Sequence, residues 1–265
     1  MTTYEDIRFE KEDNIACITL NRPQVLNAVR DKLWQEVETA VNDVIADDDI
    51  RILIFTGEGR AFSVGADLKE QSQADPSDFK PFAVREGILR LQRLTKRIIE
   101  MPKPSIAAVN GYALGAGAEL AICCDIRVAS EAAIFGFPEA QVGLFETNGV
   151  THILPRLIGL GKAKELMMTG DHISAEEAQR LRLVERVVAH ESLMEEAKAL
   201  ARKIAANAPI SVSLAKTCLN RGAQTDLDTA LVYETEAVLA TIASEDMMEG
   251  ARAFAEKRAP KFKGR

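Results

Sequence analysis

Short apolar runs of β character alternate with helix-spaced stretches through the first two thirds of this 265-residue chain. That alternation restricts the fold more than any other feature, because parallel strands need long crossovers and helices supply them. Ile15 to Leu20 and Ile52 to Phe55 read as buried strands. Between them, Leu33, Val37, Ala40, Val41 and Val44 recur at helical spacing, and Asp31 suits the positive end of that helix. Val84, Ile88, Leu91, Ile98 and Met101 form a second helical stripe, which Pro102 and Pro104 end before Ser105 to Val109 resumes as a strand. Ile126 to Ala129 and Ile134 to Phe137 supply further strands. The implied class is α/β with a largely parallel sheet.

From Ser174 onward the pattern turns helical. Ser174-Ala-Glu-Glu177 reads as a capping box, and Glu185 to Ala189 is one short β-like interval. Leu193, Ala197, Leu200 and Ile204 mark one amphipathic helix, Leu227, Leu231, Val238 and Ile242 another, and Met247 to Lys257 a third. We therefore expect a core over residues 1–195 and a helical region over 196–265, apolar enough to bury itself against a neighbouring chain. Gln71 to Pro81 is the one loose stretch and reads as a lid.

Several function classes are disfavoured. A net charge of -7 argues against a general nucleic-acid surface, which needs a basic face. The exception is residues 256–265, where five basic side chains face one acid and suit a phosphate on a small ligand or a partner subunit. No uncharged apolar run approaches the roughly 18 residues that span a bilayer, so no membrane role is expected. The acidic start has no secretory grammar, and Cys17, Cys123, Cys124 and Cys218 form neither a disulfide framework nor a zinc motif, which points to reduced thiols in the cytoplasm. His152, His172 and His190 show no metal spacing. Trp34 reads as packing on the first helix. Ser63 lies in no nucleophile elbow, Gly115-Ala116-Gly117 is no dinucleotide fingerprint, and Gly159-Leu-Gly161-Lys162 is no P-loop.

Two segments share a design in which a strand ends in a small-residue turn that enters a helix. They are Ala61 to Leu68 and Asn110 to Glu119. Small side chains let a ligand approach the backbone, and the first N–H groups of a helix stay unpaired, so each turn can offer an amide to an anion. Two such amides make an oxyanion hole, each donor worth about 3 to 4 kcal/mol in the transition state. Glu119 follows the second turn and Glu139 follows an apolar strand. Two carboxyls in one apolar pocket do not both ionise cheaply, and the pair can divide acid and base work on water.

Further motifs fall in a fixed order. Asn21-Arg22-Pro23 with Leu26-Asn27-Ala28 leads to Ala61-Phe62-Ser63-Val64-Gly65-Ala66-Asp67-Leu68-Lys69-Glu70. Lys103-Pro104 then leads through Asn110-Gly111 to Gly115-Ala116-Gly117-Ala118-Glu119-Leu120, followed by Cys124-Asp125, Phe135-Gly136-Phe137-Pro138-Glu139 and Phe254-Ala255-Glu256-Lys257-Arg258. In this order the chain resembles the crotonase superfamily, the enoyl-CoA hydratases and isomerases, over essentially its whole length. The resemblance implies a spiral of β-β-α turns with a C-terminal helical trimerisation region, as a homotrimer or a dimer of trimers. It implies that the amides of Ala66 and Ala116 bind an acyl-CoA thioester oxygen, that Glu119 takes a proton from the attacking water, and that Glu139 delivers one to C2. It also places the substrate against Ala28, Ala66, Asp67, Leu68, Gly115 and Ala116. Lys69 and Lys257 fall where the family meets CoA phosphates, Lys257 from an adjacent subunit, and Phe254 falls near the adenine. Coenzyme A enters as part of the substrate, and no separate cofactor is implied.

The chain departs from the hydratase pattern in two places. Ala116 replaces a frequent glycine, a mild change where an amide is the working group. Leu144-Phe145-Glu146-Thr147-Asn148-Gly149 replaces a Pro-Gly-rich stretch and sets an extra acid, Glu146, beside the acyl pocket. The expected activity is reversible hydration of a 2-enoyl-CoA. The alternatives are double-bond isomerisation or hydrolysis of a cyclic oxoacyl-CoA with Glu146 taking part, and a non-catalytic RNA- or protein-binding relative.

Overall fold

A computed structural model describes residues 3–69 and 80–265. Six strands form the larger sheet in the order β1-β2-β3-β5-β7-β10: β1 (Ile7–Glu12), β2 (Ile15–Leu20), β3 (Ile52–Gly57), β5 (Ser105–Val109), β7 (Ile126–Ser130) and β10 (Arg186–Val188). Only the β1–β2 hairpin pair is antiparallel; the other pairings are parallel. A smaller sheet has the order β4-β6-β8-β9, from β4 (Ala61–Ser63), β6 (Tyr112–Leu114), β8 (Ile134–Gly136) and β9 (His172–Ser174). Each turn of the chain lays one strand in the large sheet and the next in the small one: β3 then β4, β5 then β6, β7 then β8. The result is the expected spiral of β-β-α turns.

A parallel sheet covered on both faces needs apolar residues at successive positions, which explains the continuous runs. Leu53, Phe55, Ala107 and Val109 face the main core with helix α1 (Asp31–Ala46) and helix α2 (Pro81–Glu100). Their neighbours Ile52, Ile54, Ile106 and Ala108 face the opposite side, where they meet Leu193, Ala197 and Ala201. Those three belong to α7 (Leu193–Ala205), which lies across the sheet. Burying Leu193 there contributes on the order of 2 kcal/mol. The expected division after residue 195 falls inside this helix.

Helices α3 (Ala116–Cys123), α4 (Val150–Ile158), α5 (Leu160–Thr169) and α6 (Ala175–Arg180) precede α7, and α8 (Pro209–Gly222), α9 (Leu227–Ile242) and α10 (Glu245–Glu256) follow it. Lys216 on α8 makes a buried ion pair with Asp125 at 2.8 Å and donates to the carbonyls of Ile98 and Lys103 at 3.0 and 3.1 Å. The C-terminal helices are thereby tied to the end of α2 and the start of β7. Only half of the expected capping box forms. Ser174 accepts from the Glu177 amide, but the Glu177 carboxylate turns outward to Arg180 at 2.6 and 2.7 Å instead of reaching back. Most of the stretch expected as a lid, residues 71–79, lies outside the described residues. No helix among the described residues is long and apolar enough to cross a membrane.

Candidate active site

Three adjacent parallel strands of the small sheet, β4, β6 and β8, end side by side. The chain leaves β4 into Gly65-Ala66, leaves β6 into Gly115-Ala116, and leaves β8 into Phe137-Pro138-Glu139. The carboxyl ends of parallel strands are where an α/β sheet leaves a crevice.

The first loop is held by a short parallel bridge. Val29 donates to the Gly65 carbonyl at 2.8 Å, and Asp67 donates to the Val29 carbonyl at 3.0 Å. Backbone groups alternate in direction along extended chain, so these two bonds turn the intervening Ala66 N–H away from Val29. The Asn21 to Ala28 motif braces this bridge. Asn27 donates to the carbonyls of Glu58 and Ala61 at 3.0 and 2.8 Å, and its own carbonyl accepts from Ser63 Oγ at 2.8 Å. Arg22 reaches the Ala28 carbonyl at 2.5 Å and the Asp67 carboxylate at 3.1 Å. Ala28 is buried and Asp67 ion-paired, so both hold the loop in place.

At the second loop, Gly115 adopts φ +50, ψ -126 and donates to the Gly136 carbonyl at 3.0 Å, after which α3 starts at Ala116. Space is the controlling quantity here. A Cβ on Gly65 would stand 2.9 Å from the Leu114 carbonyl oxygen and 3.2 Å from the Ala116 nitrogen, and one on Gly115 would stand 2.6 Å from Glu139 Oε1. A Cβ on Gly117 would meet the Ser63 carbonyl oxygen at 2.3 Å. Both turns are glycine because the two loops and the Glu139 carboxyl press together. Among the described residues, no backbone hydrogen bond takes up the N–H of Ala66 or of Ala116. Two unpaired amides from neighbouring loops suit one developing oxyanion.

Glu119 sits in the first turn of α3 and is only 2 % exposed. Its Oε1 accepts from the Thr147 amide at 2.9 Å and its Oε2 from Asn148 Nδ2 at 2.6 Å. Burial raises its pKa, these donors pull it back, and the Glu146 charge raises it again. Glu139 begins the 3-10 turn Glu139–Val142. Burial pushes its pKa up to about 7, with smaller upward contributions from Glu119 and Glu146, and its buried Oε2 has no hydrogen-bond partner. The two acids therefore differ in kind: one carboxylate with two donors, one carboxyl with an unpartnered oxygen. Environments that separate two acids in this way suit acid and base roles in one site.

Glu146 is 8 % exposed, its Oε1 is buried without a partner, and burial raises its pKa. Leu68 and Lys69 sit exposed at the start of the helical turn after the first loop. Phe254, 88 % exposed, lies on α10, and Lys257 is its left-handed C-cap. Among the described residues, neither makes a hydrogen bond or ion pair to the loops. Trp34 is buried in the main core, and Cys17, Cys123 and Cys124 are buried free thiols. His190 meets Ser130 Oγ at 3.1 Å, and no metal-binding cluster occurs among the described residues. Thr147 and Asn148, the donors to Glu119, were not singled out in the sequence. A buried carboxylate requires such donors, but nothing in the residue pattern says which loop supplies them.

A spiral of β-β-α turns in two sheets, with glycine-bound loops at the carboxyl edge of the smaller one, is the crotonase fold. The chain belongs to the enoyl-CoA hydratase/isomerase family, whose sequence profile matches residues 10–265. It is 41% identical over 254 residues to the short-chain-enoyl-CoA hydratase of Clostridium acetobutylicum, covering 96% of this chain and 95% of that protein. It is 41% identical over 261 residues to the crotonyl-CoA hydratase of Syntrophomonas wolfei, covering 98% of each. The crystal structure of enoyl-CoA hydratase from Bacillus anthracis superposes with a TM-score of 0.93 at 39% identity, over 98% of this chain and 100% of that one.

Proposed function

We propose that this protein is an enoyl-CoA hydratase that adds water reversibly across the 2,3 double bond of a short 2-enoyl-CoA. One observation carries the reading: two unpaired amides, Ala66 and Ala116, stand beside two carboxyls in different surroundings, Glu119 with two donors and Glu139 with an unpartnered oxygen. The amides receive the thioester oxygen and stabilise the charge that grows on it as the enolate forms. Glu119, whose carboxylate oxygens accept from Thr147 and Asn148, takes one proton from water as the water oxygen bonds to C3. Glu139 gives its proton to C2, and exchange of the two protons through solvent restores the starting state. A pKa near 7 suits that donor, since both forms are populated at neutral pH.

The same reading assigns Lys69 and Lys257 to CoA phosphates and Phe254 to the adenine, with the substrate against Ala28, Asp67, Leu68 and Gly115. Leu231, Val232, Val238, Leu239 and Ile242 are exposed along α9, which supports a homotrimer, or a dimer of trimers, closed by this region. Four unpaired cysteines and a net charge of -7 support a cytoplasmic enzyme. The test follows crotonyl-CoA by loss of enoyl thioester absorbance and by chromatography of the 3-hydroxyacyl product. Glu119→Gln and Glu139→Gln should each reduce turnover by about a hundredfold or more. Unchanged rates in both variants would refute the two-acid mechanism, and an isomerised product would move the site to the isomerase alternative.

A further inference from the structure

The hydration chemistry leaves one buried acid beside Glu119 and Glu139 without a task. Glu146 is more than nine-tenths buried, and no protein group donates to its Oε1. Burying a carboxyl without a partner is costly, and cores do not keep such a group for packing. Its position is set by the adjacent residues: Thr147 donates its amide, and Asn148 its side-chain amide, to Glu119. The loop that grips one catalytic acid therefore carries Glu146 beside it, and the Glu146 charge is felt by both Glu119 and Glu139. An exposed apolar neighbour, Phe145, points the other way, to solvent.

An alkyl chain laid against Oε1 would seal it from water for good. A substrate hydroxyl would supply the donor it lacks. We propose that Glu146 selects acyl groups that carry a hydroxyl on the carbon just beyond the reacting double bond, and that Oε1 accepts the hydrogen bond from it. Glu146 is then a specificity-determining residue and takes no part in moving protons. The inference rests on the hydratase reading only for the place of the acyl chain; the selection itself is a matter of binding.

Binding and turnover are therefore measured separately. Calorimetry on the Glu119→Gln protein compares trans-2-pentenoyl-CoA with trans-4-hydroxy-2-pentenoyl-CoA. The hydroxylated thioester should bind about tenfold more tightly, the scale expected when a buried acceptor gains its donor. Adding Glu146→Leu should abolish or reverse that preference, because the acceptor is gone and the alkyl chain fits a dry wall. Adding Glu146→Gln should keep it, since its amide oxygen still accepts. Equal affinities in the Glu119→Gln protein, or a preference that survives Glu146→Leu, would overturn the proposal. The unmodified enzyme is assayed for hydration of the same two thioesters. Absence of turnover with the binding preference intact would sink the hydratase reading and uphold the role of Glu146; hydration of both at equal kcat/KM with equal affinities would do the reverse.

Discussion

Glu139→Gln should make the protein less active and, above neutral pH, more stable. The carboxyl is pushed from an ordinary 4.5 up to about 7, first by burial and then by the Glu119 and Glu146 charges. A carboxyl whose pKa is raised in the fold contributes its full stability below pH 4.5, where it is neutral in both states. That contribution is lost as pH rises through 7, where the fold must hold the charged form. A factor of ten in proton affinity is about 1.4 kcal/mol, so the ceiling is about 3 kcal/mol. Glu139 is only half-buried, and screening by solvent reduces the realistic value to about 1–2 kcal/mol.

Glutamine keeps the shape and carries no proton to lose, so its advantage over the native residue should be near zero at pH 4.5 and reach about 1–2 kcal/mol at pH 8. Urea unfolding of both proteins at one protomer concentration, across that range, measures the difference directly. The shared titrations of other groups cancel in the comparison. Parallel stability curves would refute the claim that Glu139 is the desolvated acid of the site. The native enzyme's kcat/KM should also fall above pH 7, as the proton donor is lost, and the variant should lack that limb.

The two glycines of the second loop should fail differently. Gly117→Ala drives a Cβ to 2.3 Å from a backbone oxygen, that of Ser63, and should destabilise by about 2 kcal/mol. Gly115→Ala strains the backbone at φ +50, ψ -126 and sets its Cβ against the carboxyl end of Glu139, so kcat should fall at least tenfold along with the melting point; turnover kept at the native level would show that the Glu139 carboxyl does not depend on this spacing. Lys216→Met should cost about 3 kcal/mol in urea unfolding, because Asp125 loses its buried cation and keeps only the Ser105 donors. A loss within experimental error would mean that α8 is held by its packing alone.

What the residues reveal in advance follows from length and burial. The five- and six-residue strands β2, β3 and β5 are mostly apolar and almost wholly buried, and so legible, as are α1 and α2 with their one-sided stripes. Of the small sheet only β8 is legible, within Ile134 to Phe137, because β4, β6 and β9 are three residues each and carry no period. Helix α8 has Lys216 as its only buried residue, so no apolar stripe announces it. Glu177 had two partners within reach, its own cap and Arg180, and a sequence pattern does not rank them. Glu119 and Glu139 stood out as acids among small and apolar residues. The donors that fix Glu119 come from a loop 28 and 29 residues away, a pairing only the folded chain creates.

The site depends on the spiral more than on its side chains. In an uninterrupted sheet, every strand amide would be consumed by the neighbouring ladder. Here three adjacent parallel strands stop after three residues, and the chain turns out of the sheet at Gly65, Gly115 and Phe137 in succession. Two of those exits release an amide and the third releases a carboxyl, so the pitch of the spiral sets their separation. Glu119 follows three residues into the helix that begins at the second exit, and its amide closes the first turn on the Gly115 carbonyl at 2.9 Å. A donor pair and a base are thus rigidly related through one helix start. Residues 144–149, by contrast, form a loop attached to this frame by its bonds to Glu119, and it is there that the chain departs from the family pattern. A fold that fixes the reaction in its backbone leaves choice of acyl group to such a loop, which is where the proposed selection by Glu146 lies.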